Sequence, residues 1–293
     1  MPDPRDLTLS LGGRWYGTYG CAPCPICQPE QRPTQNALTL SVAKDGRLLL
    51  HCKKANCDFR DLLGALGIFE QRACIVPVRT AGAKTIDQIS TEKRGRLALE
   101  IWNQSVPIKG TAAEVYLRHR GLTCDLPRYL RYHPKTLHGP TDAWHPAMVA
   151  MVSGARGPAV HRTWLKPGGQ GKADLTPNKT MLGPVAGGAV RLFDDEGPLV
   201  VAEGIETALS LASGILTRPF RLWAALSTSG IRSLNLPPVA SKLIIATDGD
   251  PAGQVAGDAL ATRADELGWD VSLLPAPEGC DWNDILIKEG VEK

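Results

Sequence analysis

Two stretches decide the fold, Val200-Val201-Ala202-Glu203-Gly204-Ile205-Glu206 and Leu243-Ile244-Ile245-Ala246-Thr247-Asp248-Gly249-Asp250. Each is an apolar run that ends in carboxylates and a glycine. Such runs are typical of buried parallel strands, and open α/β sheets place their chemistry at the C-terminal ends of those strands. Carboxylates gathered at one edge repel each other unless a cation lies between them, and Mg²⁺ is the usual cation. The sequence therefore predicts a doubly wound α/β domain with a divalent-metal site.

The two acidic motifs also resemble those of a known family. Glu-Gly-x-Glu-Thr-Ala at 203–208, followed by Asp-Gly-Asp-Pro-Ala-Gly at 248–253, resembles the Toprim domain of bacterial and phage DNA primases, topoisomerases and OLD-type nucleases. The second motif looks most like the primase version. The resemblance implies that Glu203, Asp248 and Asp250 are catalytic and hold one or two Mg²⁺ or Mn²⁺ ions. The alternative is a pair of strand-terminating turns, since Asp-Gly and Pro-Ala-Gly form turns readily.

Further acidic residues lie near these motifs. In primase-like Toprim proteins an Asp-x-Asn-Asp follows the last strand, and Asp281-Trp282-Asn283-Asp284 is similar to it. The resemblance implies that Asp284 joins the magnesium site, with Asp281 as a further candidate; a helix cap at Asp281 or Asn283 is the alternative. Glu206 falls in the first turn of a predicted helix, where a carboxylate complements the helix dipole. We therefore expect a structural role for Glu206.

Paired cysteines mark the N-terminal region. Cys24 and Cys27 form a Cys-x-x-Cys knuckle, and Cys52 and Cys57 form a second, wider pair beyond a predicted hairpin at 36–51. Two cysteine pairs around a hairpin predict a Cys₄ zinc ribbon with a structural Zn²⁺. The arrangement resembles the zinc-binding module that opens bacterial and phage primases.

Two alternatives to this ligand set stay open at the level of sequence. The wide second knuckle leaves Cys21 and His51 as substitutes for the fourth ligand. Buried or disulfide-bonded cysteines are the alternative to zinc, although the sequence lacks a signal peptide, which favours reduced thiols and a cytoplasmic protein. Lys53 and Lys54 lie inside the second knuckle, and we expect them to contact nucleic-acid phosphates.

Residues 94–192 are predicted to form a lobe that is first helical and then rich in β-strands. A strand at 147–152 and a partner at 159–165 precede a flexible, basic loop at 166–172. The region resembles the segment before Toprim in phage-type and mobile-element primases, where a basic residue near the end of the lobe faces the incoming nucleotide. The resemblance implies nucleotide binding by Lys179, with Arg162 and Lys172 as weaker candidates. An ordinary solvated surface is the alternative for each.

The domain organisation follows from these segments. We predict a zinc ribbon at 1–70, a linker at 71–93, the lobe at 94–192 and the Toprim domain at 193–293. Residues 1–180 carry 25 basic and 14 acidic side chains, whereas residues 181–293 carry 8 and 16. A basic N-terminal part and an acidic C-terminal part suit a protein that binds a polyanion with one part and a metal with the other. No apolar run approaches the length of a membrane span.

Together these features predict a DNA primase that makes short RNA primers on a single-stranded DNA template from NTPs. Without a motor domain in the sequence, a separate replicative helicase is the expected partner. A Toprim-type nuclease and a non-catalytic single-stranded DNA-binding replication protein are the alternatives. A topoisomerase is disfavoured, because no tyrosine follows Tyr132 and none is available as a nucleophile beside the acidic motifs.

Overall fold

The chain comprises two compact units, Met1–Ala81 and Gly82–Lys293. The computed structural model describes residues 3–32, 35–43, 47–55, 57–68 and 86–291. Within these residues, none of the helices combines the length and the apolar character needed to cross a bilayer.

The N-terminal unit is a small antiparallel sheet flanked by two helices. Its elements are α1 (Pro4–Ser10), β1 (Arg14–Trp15), β2 (Tyr19–Ala22), β3 (Leu38–Val42), β4 (Leu48–Cys52) and α2 (Phe59–Ala65). The strands lie in the order β1-β2-β3-β4, and β3 and β4 form the predicted hairpin, whose turn at 44–46 lies outside the described residues. Leu38, Leu40 and Leu62 form the small core together with Cys24 and Cys52. With so few core residues, apolar burial provides little stability, and small units of this kind usually need a disulfide, a metal or a partner chain.

The larger unit begins with a lobe built around an antiparallel sheet. Its elements are α3 (Ile86–Gln104), β5 (Val106–Pro107), α4 (Ala112–His119), β6 (Leu130–His138), β7 (Ala143–Val152), β8 (Ala159–Trp164) and β9 (Lys179–Leu182), with the strands in sequential order. The predicted strand pair is confirmed as β7 and β8. The predicted linker at 71–93 is corrected at its end, because residues 86–93 belong to α3; residues 71–85 lie outside the described part of the chain.

The predicted flexible loop after β8 is packed against the lobe. Pro167–Gly169 forms a single 3₁₀ turn, and a Cβ added at Gly169 would lie 2.2 Å from the carbonyl oxygen of Ala112 in α4. Lys166 forms an ion pair with Asp174 at 3.0 Å. Gly169 also has a positive φ of 82°, so both space and backbone conformation require glycine there. The loop is therefore held against α4, contrary to the expectation of a flexible segment.

The second half of the larger unit is a five-stranded sheet with helices on both faces. Its elements are β10 (Val190–Asp194), β11 (Leu199–Ala202), α5 (Ile205–Ser210, continued by a π-helical segment, Leu211–Ile215), β12 (Arg221–Ala224), α6 (Thr228–Ser233), β13 (Lys242–Thr247), α7 (Pro251–Glu266), β14 (Asp270–Pro275) and α8 (Trp282–Val291). The strand order is β10-β12-β11-β13-β14, and only β10 runs antiparallel to its neighbour. The predicted α/β fold class is thus confirmed, whereas the predicted boundary at 192/193 falls inside β10.

One continuous core joins the lobe to this sheet. Buried residues of the lobe, such as Leu117 and Met148, belong to the same hydrophobic cluster as Val200, Phe220 and Trp282 from the second half. Each fully buried side chain of this size stabilises the fold by about 2 kcal/mol through apolar burial. The shared core therefore fixes the lobe next to the carboxyl ends of the parallel strands.

Candidate functional site

The acidic residues of the two motifs meet at one edge of the parallel sheet. Strands β11 and β13 are hydrogen-bonded neighbours, with Ala202 opposite Ala246. Glu203 therefore leaves its strand next to the point where Thr247 and Asp248 end theirs. Asp250 follows at the start of α7. The structure thus brings together the three carboxylates that the sequence analysis selected.

Two of the three carboxylates, those of Glu203 and Asp248, have raised pKa values. Burial, followed by the charges of Asp248 and Asp250, raises the pKa of Glu203 to about 7. Burial also raises the pKa of Asp248, with the nearby charges of Asp281 and Asp250 acting in the same direction. These shifts mean that negative charge is crowded beyond what the surrounding protein neutralises. A cation at this edge would relieve the repulsion.

Two hydrogen bonds orient the aspartates. Thr207 donates its hydroxyl to Asp248 Oδ1 at 3.2 Å. Asp250 is the N-cap of α7, where its Oδ1 accepts from the backbone N–H of Gly253 at 2.6 Å. Each interaction uses only one carboxylate oxygen, so the other oxygen is available for a ligand. Thr207 was not predicted as a site residue, although it belongs to the Glu-Gly-x-Glu-Thr-Ala motif at 203–208.

Lys179 is the predicted basic residue whose charge acts on the carboxylates of the acidic edge. It begins β9 and lies opposite Thr163 of β8. Its charge lowers the pKa of both Glu203 and Asp248, which places the ammonium within electrostatic range of both carboxylates. Lys179 itself is exposed and so accessible to a charged ligand. A single lysine does not outweigh burial and mutual repulsion, since the pKa values of the two acids remain raised.

Lys172 has a different partner, and that partner is Glu206. Lys172 Nζ lies 2.9 Å from Glu206 Oε1, and the hydroxyl of Tyr116 donates to the same oxygen at 2.6 Å. Burial alone would raise the pKa of Glu206, but Lys172 and Tyr116 stabilise the carboxylate and lower its pKa to about 2. Glu206 is therefore a buried anion that ties α5 to the lobe. Its expected role of complementing a helix dipole is replaced by this ion pair.

Lys172 also lines an open cavity of about 310 Å³ beside the same site. His119 and Arg120 from the end of α4 line it too, together with Gln170. The cavity has cationic or hydrogen-bonding groups on several sides and no acidic side chain among its described lining residues. It is a candidate pocket for an anion.

Arg162 lies away from the acidic edge. Its guanidinium stacks over the ring of Trp164 at 4.8 Å and donates to the carbonyl oxygen of Leu137 at 3.1 Å and to Thr180 Oγ1 at 3.2 Å. Successive residues of a strand point to opposite faces, so Arg162 and its neighbour His161 diverge. Lys179 lies opposite Thr163, the other neighbour of Arg162, so Lys179 and Arg162 are on opposite faces of the sheet. The nucleotide-binding role of Arg162 stays a prediction.

Asp281 and Asp284 cap the last helix, α8. The backbone N–H of Asp284 donates to Asp281 Oδ1 at 2.8 Å, and the N–H of Asp281 donates to Asp284 Oδ2 at 3.1 Å. Such reciprocal bonds satisfy N–H groups that a helix start leaves unpaired. Between them, buried Asn283 donates to the carbonyl oxygen of Arg120 and to Ser210 Oγ, at 2.8 and 3.0 Å. The capping alternative is thus realised, and metal ligation by Asp284 stays a prediction.

The second candidate site is the cysteine cluster of the N-terminal unit. The Sγ atoms of Cys24, Cys27, Cys52 and Cys57 all lie within 4.8 Å of one another. Two of the separations are 3.8 and 3.5 Å. A tetrahedral zinc with Zn–S bonds of about 2.3 Å separates its sulfurs by about 3.8 Å. The four predicted ligands therefore converge with the spacing that a bound zinc requires.

The second knuckle stabilises the thiolate of Cys52 but not that of Cys57, whose pKa is raised by burial and by hydrogen bonds to neighbouring cysteines. The backbone N–H of Ala55 donates to Cys52 Sγ at 3.5 Å. Burial alone would raise the pKa of Cys52, but backbone N–H groups of the knuckle lower it to about 6. Thiolates are the form that binds metal. Cys21 and His51, the alternative ligands, are not members of the cluster. Lys53 and Lys54 are exposed, and their role in nucleic-acid binding stays a prediction.

The carboxylate oxygens at the acidic edge do not converge as closely as the sulfur atoms of the cysteine cluster. Among the described residues, the cysteines are the only group of three or more His, Cys, Asp or Glu side chains whose ligand atoms converge in this way. Oxygen donors suit Mg²⁺, which keeps several waters and accepts one or two carboxylates directly. Glu203, Asp248 and Asp250 fit such an ion by their oxygen chemistry, and the raised pKa values of Glu203 and Asp248 favour a bound cation.

Two protein families match separate parts of the larger unit. The Toprim domain family matches residues 198–292, and a family described as a domain of unknown function, DUF7146, matches residues 92–192. Residues 198–292 are therefore a Toprim domain, and the resemblance predicted from the acidic motifs is confirmed there. No curated protein matches the chain.

Solved structures of three primases are similar to this chain. The zinc-binding and RNA polymerase domains of the Aquifex aeolicus primase share 16% identity with it, with a TM-score of 0.42, covering 99% of this chain and 81% of that one. The primase fragment of the bacteriophage T7 primase-helicase shares 11%, with a TM-score of 0.32, covering 92% and 98%. The RNA polymerase domain of the Mycobacterium tuberculosis primase shares 13%, with a TM-score of 0.30, covering 71% and 74%.

Proposed function

We propose that this Toprim-containing chain is a DNA primase, a nucleotidyltransferase that joins NTPs into short primers on single-stranded DNA. The observation that carries the proposal is the meeting of two kinds of charge within one compact unit. Glu203, Asp248 and Asp250 provide oxygen donors at a sheet edge. Lys179 from the lobe lies within electrostatic range of them. Cations for a triphosphate beside carboxylates for a divalent metal are what phosphoryl transfer from an NTP requires.

In this proposal each residue has a defined task. Glu203, Asp248 and Asp250 hold Mg²⁺, which when bound supplies a Lewis acid for the α-phosphate and lowers the pKa of the attacking 3′-hydroxyl. Thr207 fixes the orientation of Asp248 by its hydrogen bond. Lys179 neutralises charge on the triphosphate, and Lys172 is held at the wall of the adjoining cavity by Glu206. The exposed Lys53 and Lys54 contact template phosphates.

The test is a primer-synthesis assay with purified protein. Labelled NTPs, an unlabelled single-stranded template and Mg²⁺ or Mn²⁺ are incubated, and the products are resolved on a denaturing gel. We expect template-dependent oligonucleotides. Asp250→Asn should lower the rate by about 10²- to 10³-fold, because it removes stabilisation of charge that develops in the transition state.

Asp258→Asn is the matched control, since Asp258 is an exposed aspartate on the same helix. It should keep full activity. The same assay with labelled template separates synthesis from hydrolysis. Cleavage of the template without NTP incorporation would replace the proposal with a Toprim nuclease. Template binding without either reaction would leave a non-catalytic DNA-binding protein.

A further inference from the structure

A second concave surface lies on the lobe, apart from the acidic edge. It is an open cavity of about 380 Å³ between the second half of α3 and the far end of β6 and β7. Leu97, Leu137 and Trp144 line it, with 42%, 37% and 57% of their surface exposed. Three large apolar side chains exposed around one cavity are unusual for a surface without a ligand. We call this cavity the Trp144 pocket.

Cationic groups surround the Trp144 pocket. Lys135 Nζ lies 5.8 Å from the centre of the Trp144 ring, and Arg162 lines the pocket from β8. Within the part of the chain that the structure describes, Lys135 and Arg162 form no ion pair with a carboxylate. Their charge is therefore not neutralised by the protein, although Glu100 also lies in the lining.

We infer that the Trp144 pocket binds a single strand of nucleic acid, with one base on the Trp144 ring and an adjoining phosphate on Lys135. An exposed aromatic ring beside unpaired cations is the arrangement by which proteins hold single strands without reading their sequence. The cavity is of a size that accommodates a small planar ligand. This inference rests on the proposed function only in the choice of a single strand, since a primase uses a single-stranded template.

The chemistry favours a nucleic acid over a protein segment. A docked apolar helix or strand would cover Trp144, Leu97 and Leu137 but would leave Lys135 without a counter-charge. A single strand satisfies both features, because every base has an apolar face and every nucleotide carries a phosphate. Apart from Arg162, the pocket shares no residue with the predicted nucleotide-binding set, so its occupancy is separable from catalysis.

The experiment measures binding without synthesis. Fluorescence anisotropy of a labelled mixed-sequence single-stranded oligonucleotide is recorded with the full chain, without NTPs, over a range of salt concentrations. Trp144→Ala should raise Kd by about five- to tenfold, because it removes base stacking, and should leave the salt dependence unchanged. Lys135→Gln should raise Kd and reduce the slope of log Kd against log salt by about one.

Matched substitutions control for general effects on the surface. Val239→Ala removes another exposed apolar side chain and Lys109→Gln another exposed lysine of the lobe. Both should bind as the wild type does. Wild-type affinity and salt slope in Trp144→Ala and Lys135→Gln would overturn the inference, whether or not the protein makes primers. Conversely, weakened binding would uphold it even if no primer synthesis were found.

Discussion

At the scale of single residues, Glu203 and Glu206 show how position outweighs residue type. Both are glutamates of the same motif, yet the pKa of Glu203 is raised to about 7 and that of Glu206 is lowered to about 2. Glu203 faces other carboxylates, whereas Glu206 faces Lys172 and the hydroxyl of Tyr116. One group is poised to accept a cation and the other already has one.

The raised pKa of Glu203 predicts that its ionisation destabilises the metal-free protein. The unfolded chain loses this proton near pH 4.5, whereas the folded protein keeps it until about pH 7. Stability is therefore unaffected below pH 4.5, falls as the pH rises through this interval, and carries the full penalty above pH 7. Glu203→Gln should raise Tm at pH 8 and leave it unchanged at pH 4. Thermal melts without added divalent metal measure this, and equal Tm values at pH 8 would contradict it.

Glu206 should behave in the opposite way. Its lowered pKa contributes stability that is present above pH 4.5 and is lost as the pH falls towards 2. Glu206→Gln leaves Lys172 without a counter-ion in a largely buried position, so it should cost about 3 kcal/mol at pH 7. Denaturant unfolding measures the loss. Lys166→Gln, which breaks an exposed ion pair, is the control and should cost less than about 1 kcal/mol.

At the scale of elements, Asp250 serves both the acidic edge and helix α7. As N-cap it accepts from the Gly253 N–H, and asparagine caps helices about as well as aspartate. Asp250→Asn should therefore keep the stability of the wild type while impairing the proposed reaction. Asp250→Ala should in addition lose about 1 kcal/mol, measured by denaturant unfolding. Equal stability of the two variants would mean that the cap contributes nothing to α7.

The sequence predicted elements where their signal was local. Apolar runs ending in acids predicted β11 and β13, and cysteine spacing predicted the cluster at Cys24. Helix α6 was missed because Thr228–Ser233 is short and polar at its start, although Ser227 caps it by accepting from the Gly230 N–H at 3.0 Å. Strand β10 was placed in the lobe because its partner, β12, lies about thirty residues later and pairing across such a separation leaves no local pattern.

The same distinction explains what was missed at the candidate site. Glu203, Asp248 and Asp250 were selected because each belongs to a motif of consecutive residues. The contact of Glu206 with Lys172 and Tyr116 joins residues that are distant along the chain, and nothing near Glu206 in the sequence announces a buried partner. The position of Glu206 in a first helical turn pointed instead to a dipole effect, which is a weaker interaction than a buried ion pair.

At the scale of the whole molecule, the N-terminal unit should depend on its metal. We expect about one zinc per chain, measured by elemental analysis, and its loss in Cys24→Ser. Removal of zinc should unfold the N-terminal unit, because its core is small, and leave the melting transition of the larger unit in place. Cys21→Ser is the control, since Cys21 lies outside the cluster. Zinc loss in that variant would mean that Cys21 is a zinc ligand, as one of the alternatives predicts.

Strand β10 has a consequence for how such proteins diversify. It straddles the end of the first family match at residue 192 and precedes the Toprim match, which starts at residue 198, yet it forms the edge of the second sheet. Recombination between residues 192 and 198 would separate β10 from the β12 with which it pairs, and would leave β12 as an unpaired edge strand. The two segments are therefore expected to be inherited together, as one evolutionary unit.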